Sequence, residues 1–151
     1  MALDKNNVFS DAQAITANAT TVASTDLIDL GALVDDRSVA LNQYGPENGK
    51  LWLHVSIGVA PTAGTGIQCE LQDCATAGGT YKNTGIGVND AIPNATLVAG
   101  YSMLKVPLMP GLRRFIRVLY TTTGDHTASV GTINARLEWG SKSDDVVPYR
   151  A

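Results

Sequence analysis

The chain has 151 residues, 44% of them hydrophobic, and a formal net charge of -3. That length fits one domain with a real core, and the slight acidity argues against a nucleic-acid binder, which carries a basic excess. Charged residues make up only 17%, below the usual quarter, as in chains whose surface is partly covered by partners and in all-β proteins.

Residues 1–31 read MALDKNNVFSDAQAITANATTVASTDLIDLG. Their large apolar residues are sparse: Leu3, Val8, Phe9 and Ile15, then Leu27, Ile28 and Leu30. Such a segment cannot fold on itself against the entropy of ordering. It is ordered only by lying on its own domain or on a neighbour. Short strands are expected over 25–30 and 38–43. The clearest strand is 51–59, where Leu51, Leu53, Val55, Ile57 and Val59 alternate with Trp52, His54, Ser56 and Gly58, a period of two with one apolar face. A Pro/Gly/Thr loop over 61–66 leads into a second strand over 67–72, with Ile67, Cys69 and Leu71 inward. The Gly-rich, polar stretch 76–87 reads as loop, with Tyr81 as an anchor.

Residues 97–106 look extended, and Met109-Pro110-Gly111 makes a turn. In the strand over 114–121, Phe115, Arg117 and Leu119 share one face and Ile116, Val118 and Tyr120 the other, so both faces are candidates for cover. After a polar turn at Gly124-Asp125-His126, residues 130–139 return with Ile133, Ala135, Leu137 and Trp139 on one face. These two strands read as a long antiparallel hairpin. Helical period is confined to a turn over 10–14. The 15 Gly residues, many turns and no alternating helices predict an all-β fold, an antiparallel β-sandwich or jelly roll. Its organisation is an N-terminal arm over 1–24, a core over 25–140 and a polar tail over 141–151.

The sequence offers little for catalysis. His54 and His126 are too few for a metal site without other ligands, and both are expected to be structural or exposed. Cys69 and Cys74 lack CxxC spacing, and a disulfide framework is not expected in a reducing compartment. The pairs Asp35-Asp36 and Asp144-Asp145 lack the further oxygen ligands that calcium needs. The Gly64 and Gly85 turns lack a GK[ST] ending, and no GxSxG occurs. No catalytic, cofactor-binding or metal-ligating residue is therefore expected, and the chain is not expected to be an enzyme. No stretch is long and apolar enough to span a membrane, and no basic n-region with an apolar core opens the sequence, so synthesis in a cytoplasm is expected.

Arg113, Arg114 and Arg117 form the basic cluster, which serves either ordinary strand-end pairing and solubility or an acidic docking partner. Among Trp52, Tyr81, Tyr101, Tyr120, Trp139 and Tyr149, the last, in a polar tail, is the best candidate for an intermolecular anchor.

The opening LDKNNVFSDAQAIT, followed by STDLIDLG, resembles the N-terminus of the tailed-bacteriophage capsid cement (decoration) proteins typified by the Bordetella phage cement protein. The later RRFIRVLYTTTG and TINARLEW resemble that family's penultimate region. The likeness is densest at these two ends and sparsest over 45–87. The C-terminus departs from the family's pattern, ending in Pro148-Tyr149-Arg150-Ala151. The resemblance implies a jelly-roll domain on the outer surface of an icosahedral phage head, binding the major capsid protein at subunit junctions. It also implies self-association, a homo-dimer first and a trimer second, with no nucleic acid, membrane or cofactor. Leu3, Val8, Phe9 and Ile15 of the arm, with Arg113, Arg114 and Tyr149, are then the expected contacts to the capsid or a sister subunit. A carbohydrate-binding jelly-roll module of a phage tail or fibre is the rival reading. A cupin-like enzyme comes third, against it the histidine-rich metal set it requires.

Overall fold

A computed structural model describes residues 7–31, 51–109 and 111–139. Among these described residues ten strands form in chain order: β1 (Val8–Ala14), β2 (Thr21–Ala23), β3 (Ile28–Asp29), β4 (Leu51–Val59), β5 (Gly66–Cys74), β6 (Lys82–Gly87), β7 (Ile92–Pro93), β8 (Ser102–Pro107), β9 (Phe115–Thr123) and β10 (Thr132–Trp139). They build two sheets. One is four-stranded with the order β1-β10-β4-β8. The other is six-stranded, running β2-β9-β5-β6, with β3 also on β9 and β7 also on β5. Every ladder among the described residues is antiparallel. The expected all-β sandwich is the fold observed.

The alternating strands behave as their period dictates. Leu51, Leu53, Val55 and Ile57 of β4 are buried while Trp52, His54, Ser56 and Gly58 are half-covered. Ile133, Ala135 and Leu137 of β10 lie beside them in register, and Ile116, Val118 and Tyr120 of β9 face them from the other sheet within one core. The opposite face of β9 is only partly covered, because that face carries Arg117 and needs water.

Four expectations are corrected. The first is the arm. Residues 8–23 are not free: β1 is an edge strand of the four-stranded sheet and β2 an edge strand of the other. Phe9 and Ile15 are both 0% exposed. The strand escapes a period-two reading because its pairing with β10 shifts between Val8 and Ser10 and again between Ser10 and Gln13. At these bulges Phe9 and Ser10 turn inward in succession, and Ala12 takes a positive φ of 47°. The helical turn over 10–14 is this bulged strand. Few apolar side chains suffice because the backbone pairs along β10 and the two large ones enter a core that already exists.

The second correction concerns 114–121 and 130–139, which are not a hairpin. β9 pairs with β5, β2 and β3, whereas β10 pairs with β4 and β1. The connection over 124–131 crosses from one sheet to the other. Each strand has one apolar face, and both sheets of a sandwich satisfy that pattern equally. Third, residues 82–87 are a strand. β6 sits at the edge on β5 and buries only Ile86, so it has no apolar alternation to show. Fourth, residues 97–101 are turns, and β8 starts at Ser102. The short strand over 25–30 is present as β3, and the one over 38–43 lies outside the described residues, as does the tail.

Because β1 carries core residues, Phe9→Ala should destabilise the domain by about 3–5 kcal/mol in urea or thermal unfolding. Deleting residues 1–24 should leave a chain without a cooperative transition. A truncated chain that melts like the full one would restore the free arm.

Candidate docking surfaces

Among the described residues, both cysteines and His126 are buried in the fold. Cys69 and Cys74 are free and buried. Burial, helped by the neighbouring Glu70 charge, pushes the Cys69 thiol up to about 12, far from a reactive thiolate. Among the described residues no group of three or more His, Cys, Asp and Glu stands close enough to hold a metal ion. His126 is 0% exposed. Its Nδ1 lies 3.3 Å from the Gly124 carbonyl, and its ring packs against Gly64 so closely that a Cβ there would overlap it. Its Nε2 has no hydrogen-bond partner among the described residues.

Among the described residues, the expected contacts Val8, Phe9, Ile15, Arg113 and Arg114 fall in different places. Leu3 and Tyr149 lie outside the described residues. Phe9 and Ile15 are core, and Val8 is half-buried at the start of β1. Arg113 places Nε 3.2 Å from Asp73 Oδ1, and its backbone N–H donates to Asp73 Oδ2 at 3.0 Å. Arg114 grips Asp29 through Nε at 2.7 Å and Nη2 at 2.8 Å and lies over the Phe115 ring at 5.1 Å. That hydrogen bond, with the Asp29 charge behind it, raises the Arg114 guanidinium further. Arg117 stands 4.1 Å over the Tyr81 ring and donates to Gln72 Oε1 at 2.9 Å. The arginine cluster therefore ties β3, β5 and the 75–81 loop to β9. It makes the strand-end pairing of the two readings.

Sequence reasoning missed a second charged group, on the outer face of the four-stranded sheet. Register sets His54 opposite Arg136 on β10 and opposite Lys105 on β8. Glu138 Oε1 accepts from Arg136 Nε at 2.7 Å and lies 3.0 Å from His54 Nδ1, while Oε2 is 4.0 Å from Lys105. Burial pushes the Glu138 carboxyl up, but the His54 and Arg136 hydrogen bonds and charges outweigh it and hold the carboxyl below its ordinary range. The alternation of β4 and β10 placed these residues outward; only the register shows that they meet.

Among the described residues, the exposed large apolar side chains are Leu27, Val59, Val98, Met109 and Val130. Three of them, Val59, Val98 and Val130, lie at the end of the sandwich where β4 and β9 finish and β8 and β10 begin.

Comparison with known families gives a match to the Bbp16 family over residues 9–137. The chain belongs to the Bbp16 family. This is a family of bacteriophage proteins, which agrees with the resemblance seen at the two ends of the sequence. The match begins at Phe9 and ends at Leu137, both buried in the core. The matched region thus runs through all ten strands, β1 included, and membership is compatible with a structural protein of a phage particle. Comparison with curated proteins gives no match.

The Glu138 cluster makes a pH-dependent prediction. A carboxyl depressed below 4.5 on folding stabilises above its unfolded value and loses that contribution as pH falls through the folded one. Glu138→Gln should therefore cost about 1 kcal/mol at pH 7, and its melting curve should converge on that of the native protein as pH falls below 4.5. A constant gap between the two curves at all pH values would contradict this.

Proposed function

We propose that this Bbp16-family protein is a capsid cement protein. In this reading it binds the outer surface of the phage head and stabilises junctions between major capsid protein subunits, working as a small homo-oligomer and carrying out no reaction. The observation that carries the reading is the family match across the whole sandwich, joined to the cement-protein resemblance of LDKNNVFSDAQAIT and RRFIRVLYTTTG.

The physics of the domain supports the role. A protein that binds only the assembled shell stabilises that state by mass action, about 2.7 kcal/mol per site at a hundredfold excess over Kd. Such a protein needs a rigid body and a complementary surface, and needs no mobile site. A sandwich laced by antiparallel ladders, with its arginines clamped to Asp29, Asp73 and Gln72, meets that need.

The test mixes purified full-length protein with heads of the encoding phage stripped of it. Saturable co-sedimentation in a fixed ratio to capsid subunits, with heads disrupting at a higher temperature, is the expected result. No binding, or binding to tails or to glycans instead, would overturn the proposal.

A further inference from the structure

The loops 15–20, 60–65, 94–101 and 124–131 all lie at one end of the sandwich, and side-to-side hydrogen bonds join them into one plate. Ala19 N–H donates to Gly124 O at 3.1 Å and His126 N–H to Ala17 O at 3.2 Å. Thr62 N–H donates to Ser129 Oγ at 3.2 Å, and Val130 N–H to Thr62 Oγ1 at 3.3 Å. Asn94 closes the remaining seam, its N–H to Thr65 O at 2.9 Å and its Nδ2 to Ala63 O at 2.8 Å. Beneath the plate, His126 fills the space under Gly64, whose φ of 86° suits glycine. The surface is thus ordered before any partner arrives, which lowers the entropy lost on binding.

Its composition differs from the rest of the chain. The four loops consist largely of Ala, Thr, Gly, Asn and Ser and carry one charged residue, Asp125. Val59, Val98 and Val130 are 47%, 57% and 63% exposed there. Single exposed apolar residues are ordinary; several at one end with almost no charge among them mark an interaction surface. Leu51, Met109 and Trp139 lie at the opposite end of the sandwich.

Charge decides the occupant. Asp125 accepts from Thr127 Oγ1 at 2.6 Å and from its N–H at 2.9 Å, bonds that hold its carboxyl below the usual range and keep it ionised. Two copies meeting plate to plate would bring two such carboxylates into a low-charge contact to which neither plate adds a cation. A different partner, apolar at its centre and offering one Lys or Arg, complements the plate.

We propose that this plate, with Val59, Val98 and Val130 as its apolar contacts and Asp125 as its charged one, is the face that docks on the capsid shell. The inference rests on the cement reading. Its test compares the full-length protein, the Val98→Asp/Val130→Asp double variant, Asp125→Asn and Met109→Asp for binding to stripped heads. Each is checked for folding by its melting curve and for self-association by sedimentation velocity. The double variant should keep its melting temperature and bind roughly tenfold or more weakly. Asp125→Asn should bind more weakly with a flatter salt dependence, and Met109→Asp, at the far end, like the native chain. Native binding with an unimpaired double variant would overturn the plate and leave the cement role standing. A double variant that dissociates a native oligomer would assign the plate to a second copy, overturning the proposal. Native protein that does not bind heads would overturn both.

Discussion

The sandwich depends on β1 turning two consecutive residues inward. Phe9 enters the core while Ser10 Oγ, donating to Gln13 Oε1 at 2.6 Å, meets the Tyr120 hydroxyl of the opposite sheet at 2.8 Å. With the Ser10 hydrogen already committed, Tyr120 is the donor. A tyrosine hydroxyl so deep in the core would be costly without a partner, and burial pushes its own ionisation far up. The same strand fastens the next segment. Gln13 Nε2 donates to Ala23 O and Gln13 Oε1 accepts from Thr25 N–H, both at 2.9 Å, and Asp26 N–H returns to Phe9 O at 2.9 Å. Residues 8–26 are thereby a lace along one side of the sandwich, tying one sheet to the other.

That lace links local sequence to the working surface. After β1 the chain crosses to β2 through loop 15–20, and Ile15, fully buried, anchors the crossing. The loop then pairs with 124–131, itself the crossing from β9 to β10. Two sheet-to-sheet crossings side by side make one end of the molecule rigid. That end carries Asp125, and the ion pairs among the described residues sit elsewhere, on the outer sheet face around Glu138 and at the opposite end around Arg113 and Arg114. This division, with internal ionic clamps for stability and a low-charge plate for contact, fits the proposed cement role.

Much of this was legible in the sequence wherever a strand has one wet face. β4 and β10 alternate plainly, and β4 was bounded at Leu51 and Val59. What was not legible has physical causes. The bulges of β1 destroy its alternation, so a core strand reads as an arm. β6 buries a single large side chain and reads as loop. One apolar face per strand cannot say which sheet of a sandwich the strand joins, hence the mistaken β9–β10 hairpin. The meeting of His54, Arg136 and Glu138 depends on register, which alternation does not fix. The plate was hidden for another reason: loops 15–20, 60–65, 94–101 and 124–131 are far apart in sequence, and their lack of charge becomes a feature only once they are side by side.

Electron cryo-microscopy of purified particles of the encoding phage tests the central claim most directly. Density for this two-sheet sandwich is expected on the outside of the head, at regular positions over subunit junctions, with the 60–65 and 124–131 end against the shell. Heads without that density, or the same sandwich found only on the tail or its fibres, would contradict it.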